Sequence, residues 1–62
     1  MTKQLLINEA MNIAQNESFD KLSFQMLADR IGIKKGSVYY HFPSKEKLAI
    51  AVIEDANRQL TE

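Results

Sequence analysis

The sequence contains no cysteine, no tryptophan, one proline and two glycines among its 62 residues. Without cysteine, neither a disulfide framework nor a thiolate metal site can supplement the core, so hydrophobic packing has to hold the fold together. A chain of this length buries only about 60% of the surface that its unfolded form exposes. We therefore expect a free energy of unfolding of only a few kcal/mol.

Long apolar runs and targeting signals are also missing. No stretch approaches the roughly 18 apolar residues that a membrane-spanning helix needs, and the N-terminal MTKQLLINEA lacks the charged-then-apolar pattern of a signal peptide. We expect a soluble cytoplasmic protein that has no membrane partner.

The residue types that enzymes use are present but are not grouped for catalysis. The only histidine, His41, is followed by Phe42-Pro43, and no nucleophile motif surrounds it. Acidic residues are scattered, and no glycine-rich phosphate loop is present. His41 has no cysteine and no second histidine to join it as a metal ligand. We expect no enzymatic activity, no cofactor and no metal ion.

Apolar residues recur at helical spacing, and no segment alternates as a strand would. In the first two segments these positions are Leu6, Ile7, Ala10, Ile13 and Ala14, then Leu27, Ala28 and Ile31. They predict helix 1 at about residues 2–16 and helix 2 at about residues 23–31. Ser23 is suited to cap the start of helix 2, and Gly32 follows where a helix end favours positive φ.

The third helix is limited by proline. Pro43 biases Phe42 away from helical geometry, so this helix runs only from about residue 35 to residue 41. Isolated helices shorter than roughly 12 to 15 residues are marginal in water. Packing must therefore hold it, and we expect Ile33, Val38 and Phe42 to provide that packing.

The fourth helix is predicted at about residues 45–61, with Ser44 as its cap. Its apolar positions fall at four-residue steps with two flanking residues: Leu48, Val52, Ala56 and Leu60, beside Ala49 and Ile53. Glu54 and Arg58 have the spacing of a favourable i,i+4 ion pair. The sequence therefore predicts an all-α fold, with residues 1–62 as a single domain in which a three-helix bundle precedes a fourth helix.

Positive charge is concentrated in the middle of the chain, although eight basic and eight acidic residues give a formal net charge of zero. Between Asp29 and Glu46 there is no acidic side chain, and the basic residues there are Arg30, Lys34, Lys35 and Lys45. A local potential of about four positive charges indicates a partner that carries negative charge. Nucleic acid is the best candidate, because lysine, serine, tyrosine, backbone amides and helix N-termini all bind phosphate.

Gly36 supports this interpretation. A glycine in the first turn of a short helix costs about 1 kcal/mol relative to alanine. The missing side chain would let a DNA backbone approach the helix closely. In addition, a short helix, a turn that contains Gly32 and a second helix about four residues later have the spacing of a helix-turn-helix, whose second helix enters the major groove.

The motif carried by these residues resembles a known family. Leu27-Ala28, Ile31-Gly32-Ile33 and the run KGSVYYHFPSKE at residues 35–46, followed by Leu48, are similar to the DNA-binding domain of the tetracycline-repressor (TetR) family of bacterial transcriptional regulators. The resemblance covers nearly the whole chain. It implies a DNA-binding head with the helix-turn-helix in helices 2 and 3, and a fourth helix that leads to a larger C-terminal domain. Repression is the commoner outcome for such regulators, and we expect it here.

The resemblance also implies which residues face operator DNA. They are Ser23, Lys35, Gly36, Ser37, Tyr39, Tyr40, His41 and Lys45, with Lys3 at a basic position near the DNA backbone. Lys34 departs from the family pattern, which has a capping serine or threonine there. A lysine is unfavourable at the positive end of a helix dipole unless a phosphate is nearby, so we add Lys34 to the candidate contacts.

Some of these residues also have a structural interpretation. Tyr39 is a candidate core residue with its hydroxyl at the rim. His41 has the position of a packing residue favoured by the helix C-terminus. Ser23 and Ser44 are caps first and DNA contacts second.

Regulators of this family carry a C-terminal domain that binds an effector and dimerises, and these 62 residues do not supply it. We expect an isolated head that binds a double-stranded operator half-site, and a homodimer only together with such a domain. The alternative is a helical protein-interaction module. It would use the apolar face of helix 4, where more apolar residues occur than a three-helix core needs, namely Ile50, Val52, Ile53 and Leu60.

Overall fold

A computed structural model describes residues 2–61, with side chains through residue 58. Four α-helices follow one another, with a short 3-10 helix at Phe19–Lys21 between the first two; they are α1 (Thr2–Asn16), α2 (Phe24–Ile31), α3 (Lys35–His41) and α4 (Lys45–Thr61). Helix α1 packs against α2 and α4, and α2 packs against α3. Residues 2–61 contain no strand, so the prediction of an all-α helix-turn-helix fold is confirmed. The 3-10 helix was not predicted.

Helix α2 has a cap at each end, and the cap at its C-terminus begins the turn to α3. The Ser23 hydroxyl accepts a hydrogen bond from the Met26 amide at 3.1 Å. At the other end Gly32 has φ of 84°, and the amides of Gly32 and Ile33 both donate to the Ala28 carbonyl, at 2.8 and 3.0 Å. Because an L side chain disfavours this φ, glycine allows the chain to leave α2 abruptly. Both capping predictions are confirmed.

The core lies where the faces of all four helices meet. Its buried residues are Leu6, Ile7, Ala10, Ile13, Leu22, Phe24, Leu27, Ala28, Val38, Phe42 and Leu48. Val38 has no exposed surface and Phe42 is 3% exposed, and Ile33 packs against the core from the turn. These residues hold α3 as the sequence predicted.

Helix α4 buries part of the apolar row that the sequence predicted, namely Leu48 and Val52, but its buried face extends to residues outside that row. Leu48 is fully buried, and the buried face continues through Ala51, Val52 and Asp55. Steps of four residues overshoot the 3.6-residue turn by about 40° each, so the predicted row turns away from α1. Ile53, predicted beside this row, is exposed, and so is Ile50; the sequence had named both as apolar residues beyond what the core needs. The side chain of Leu60 lies outside the described residues.

The ion pair on α4 also differs from the prediction. Arg58 pairs with Asp55, one turn earlier, and the expected pair with Glu54 does not form. Asp55 is only 4% exposed, and a carboxylate in that position loses its hydration, which a cation or a hydrogen-bond donor has to replace.

No helix in the described part of the chain is long and apolar enough to cross a membrane.

A pair of substitutions on α4 tests this orientation. Leu48→Ala should lower the free energy of unfolding by about 2 to 5 kcal/mol, because it leaves a cavity at the centre of the core. Ile53→Ala on the exposed side should change it by no more than about 0.5 kcal/mol. Thermal and urea unfolding followed by circular dichroism measure both variants. Equal losses would show that α4 is rotated from the position described.

Candidate nucleic-acid interface

The outward face of α3 is set by the burial of Val38 and Phe42 on its opposite side. Tyr40 is 84% exposed, the largest value among the exposed large hydrophobic side chains. Gly36 is also exposed and lies four residues earlier, so the two positions are neighbours on one face of the helix. Ser37 borders them and is exposed as well. The centre of the outward face is therefore uncharged.

Tyr39 belongs partly to the core and partly to the surface. Its ring meets the Phe24 ring edge-on, with centroids 4.8 Å apart, yet 48% of the residue remains exposed. The structural interpretation offered for Tyr39 is thus correct for one side of the ring. Phe24 was not recognised from the sequence, although it lies three and four residues before Leu27 and Ala28 on the same apolar face of α2.

Three lysine ammonium groups lie over aromatic rings around α3. The Lys45 ammonium is 5.2 Å from the centroid of Phe19 and donates to the Asp20 carbonyl at 3.3 Å. Lys35 lies over Tyr39 and Lys3 over Phe42, each at 6.0 Å. Such contacts stabilise a cation by about 0.5 to 1 kcal/mol at exposed sites. They also restrict long side chains that would otherwise move freely.

A concave surface brings several of the candidate residues together. A cleft of about 310 Å³ is lined by Leu22, Ser23, Phe24, Tyr39, Ser44 and Lys45. Helices α2 and α4 both begin here, and the Ser44 hydroxyl accepts from the Lys47 amide at 3.3 Å. Each helix N-terminus carries about half a positive charge. The cleft is therefore electropositive and has serine and tyrosine hydroxyls at its wall.

Arg30 does not belong to the uncompensated basic cluster, contrary to the prediction. Its guanidinium donates to Glu9 and to Glu17, each at 3.1 Å. Both carboxylates belong to the chain before α2, far from Arg30 in sequence, which is why the local charge pattern did not reveal them. The hydrogen bond with Glu9 raises the pKa of Arg30, with desolvation opposing, and Glu17 raises it further. Arg30 therefore stays charged and connects α2 to Glu9 within α1 and to Glu17 just after the end of α1.

The lysines, by contrast, keep their charge available. In the described part of the chain no acidic side chain forms an ion pair with Lys3, Lys34, Lys35 or Lys45. Lys34 occupies the N-cap of α3 without a side-chain capping bond, as its departure from the family pattern predicted. His41 is half-buried in the last turn of α3, with its ring edge-on to Tyr40 at 5.2 Å.

The geometry defines a helix-turn-helix protein whose second helix has on its exposed side lysines that form no ion pair within the described residues. Residues 6–52 match the family model described as bacterial regulatory proteins, tetR family. The chain therefore belongs to the TetR family, and the matched region is the N-terminal domain with which these transcriptional regulators bind DNA. No curated protein and no solved structure matches the chain significantly. Within the described residues, no group of three or more histidine, cysteine or acidic residues is placed to hold a metal ion.

The capping role of Ser23 can be measured separately from any contact with DNA. Ser23→Ala removes the acceptor of the Met26 amide and should lower the free energy of unfolding by about 1 kcal/mol. Ser23→Asp keeps an acceptor at the cap and should restore most of that stability. Urea unfolding compares the two variants with the unchanged protein. If the alanine and aspartate variants lose the same stability, the loss does not come from the hydrogen bond that the Ser23 hydroxyl accepts.

Proposed function

We propose that these 62 residues form the sequence-specific DNA-binding head of a transcriptional repressor, with α3 in the major groove of double-stranded operator DNA. The observation that carries the proposal is the uncharged, exposed face of α3, surrounded by lysines that have no acidic partner among the described residues. Lysines beside such a helix can hold phosphates, while its exposed centre faces the base edges in the groove. Repression is proposed because it is the commoner outcome among the regulators that this chain resembles.

The candidate residues divide between groove and backbone in this proposal. Residues 35–40 enter the major groove, with Lys34 close to the strand that α3 meets first. Phosphates on either side are bound by Lys3, Tyr39, His41 and Lys45, and Ser23 adds a hydroxyl at the wall of the cleft. Lysines held over aromatic rings lose less conformational freedom on binding, which favours this arrangement.

Specificity in this proposal comes from pairing two half-sites. One short helix reads few base pairs, and dimeric helix-turn-helix proteins read two half-sites one helical turn apart. We propose that the 62 residues act as one domain and that a further domain outside them provides dimerisation and an effector site. Alone, the head should bind DNA with the weak affinity typical of non-specific complexes, a Kd of about 10⁻⁴ to 10⁻⁶ M near physiological salt.

Titration of isotope-labelled protein with a random-sequence duplex at low salt tests the proposal by NMR. Chemical-shift changes should be confined to the amides near Lys3, near Ser23 and in residues 34–45. The random duplex makes knowledge of an operator unnecessary, and low salt strengthens weak phosphate binding. A well-dispersed spectrum that does not change on addition of DNA would overturn the proposal.

The salt dependence of binding should report the lysines individually. Contacts from four lysines predict a slope of roughly −3 to −4 for log affinity against log salt. Lys45→Ala should weaken binding to all sequences and reduce the slope by about one unit. Lys47→Ala is the matched control, because this exposed lysine lies two residues further and about 160° around the same helix. An unchanged slope in the Lys45 variant means that Lys45 does not touch phosphate.

Gly36→Ala should change stability and DNA affinity in opposite directions. A Cβ built at Gly36 meets no atom within 4 Å, and Gly36 is not among the residues with positive φ. Alanine should therefore raise the free energy of unfolding by up to about 1 kcal/mol through its helix propensity. Its methyl group should weaken DNA binding if the glycine is there for close approach. Thermal unfolding and fluorescence anisotropy measure the two effects; unimpaired DNA binding would contradict this role.

Ile50 and Ile53 favour a second candidate function, that of a protein-interaction module. Both are exposed on the side of α4 that faces away from α1. Val52, which the sequence assigned to the same surface, packs against the core instead. Sedimentation without DNA discriminates the two functions, because association through α4 depends on protein concentration alone.

A further inference from the structure

The centre of the α3 face offers little of the usual chemistry for reading bases. Bidentate recognition of bases uses arginine or lysine on guanine, asparagine or glutamine on adenine, and a carboxylate on cytosine. From residue 34 to residue 45 the sequence contains no arginine, no amide side chain and no carboxylate. Only the lysines remain from that set.

The lysine within α3 lies to the side of this centre. Lys35 is one turn before Tyr39, and its ammonium lies over the Tyr39 ring at 6.0 Å. Lys35 and Tyr39 thus form one row along the helix, and this row is rotated by about 100° from the row formed by Gly36 and Tyr40. The groups at the centre are therefore the Tyr40 ring, the open space at Gly36 and the Ser37 hydroxyl, which bonds to any base and discriminates weakly.

Tyr40 is the one large apolar surface at this centre. It is 84% exposed, it contacts the ring of His41 by its edge, and the position beside it carries no side chain. In the major groove, the group that an apolar surface recognises is the C5-methyl of thymine. An exposed ring next to an open position has the shape to cover such a methyl group.

We propose that Tyr40 is a specificity-determining residue, whose ring contacts a thymine C5-methyl group in the space left open by Gly36. This inference rests on the proposed function, since it requires α3 in the major groove. It assigns the ring of Tyr40 to base recognition, whereas the hydroxyl remains available to bind a phosphate or a base.

Two duplexes that differ only in the methyl group test the inference. One is an alternating duplex of dA and dT, and the other has the same sequence with every thymine replaced by deoxyuridine. Both are about 16 base pairs long, which is about one and a half helical turns. Fluorescence anisotropy at low salt gives Kd for each. The unchanged protein should bind the deoxyuridine duplex about fourfold more weakly, which corresponds to ~0.8 kcal/mol for one buried methyl group.

Variants of Tyr40 identify the source of that ratio. Tyr40→Ala should bring the ratio of the two Kd values to about one, whereas Tyr40→Phe should weaken binding to both duplexes and keep the ratio. The side chain is exposed, so both variants should fold, and NMR dispersion checks this. A ratio of one in the unchanged protein, or a ratio that survives in Tyr40→Ala, would overturn the inference while leaving DNA binding intact. Absence of binding to either duplex would instead overturn the proposed function itself.

Discussion

The burial of Val38 and Phe42 is the constraint on which the binding surface depends. Helix α3 has seven residues, too few to be stable on its own, and it begins without a side-chain cap. Its conformation and its orientation therefore depend on these two side chains, which are almost completely buried in the core. Because they fix the inward side of the helix, they also fix which residues point outward. A small domain without disulfides thus presents a defined surface through packing alone.

Electrostatics divides the basic residues into two groups with different roles. Arg30 connects helices through two carboxylates, so its charge is used within the domain. The lysines around α3 have no such partners in the described part of the chain, and their ammonium groups lie over rings or in solvent. A chain with zero formal charge consequently has a positive side, because Glu9, Glu17 and Asp55 pair with arginines, whereas within the described residues no acidic side chain pairs with these lysines.

Local patterns in the sequence were sufficient for most of the fold. Apolar spacing indicated the helices, and Ser23, Gly32 and Pro43 indicated where helices start or end, because each acts on its immediate neighbours. Contacts between distant residues could not be read in this way. The Arg30 ion pairs and the contact between the Phe24 and Tyr39 rings depend on how the helices pack. The rotation of α4 about its axis, set by its packing on α1, buries Asp55 and exposes Ile53. For the site, the family motif supplied the candidate residues, whereas the division of α3 into a neutral centre and charged sides required the structure.

The two tyrosines also determine the intrinsic fluorescence of this protein. The chain has no tryptophan, and both of its tyrosines are adjacent on α3. Its tyrosine fluorescence therefore originates entirely from the helix that we propose enters the groove. Tyr39, held against Phe24, reports the packing of α3 on α2, and the exposed Tyr40 reports what lies against the outer surface. The domain thus contains two intrinsic fluorophores, one in contact with a core ring and one on the outer surface, and needs no added label.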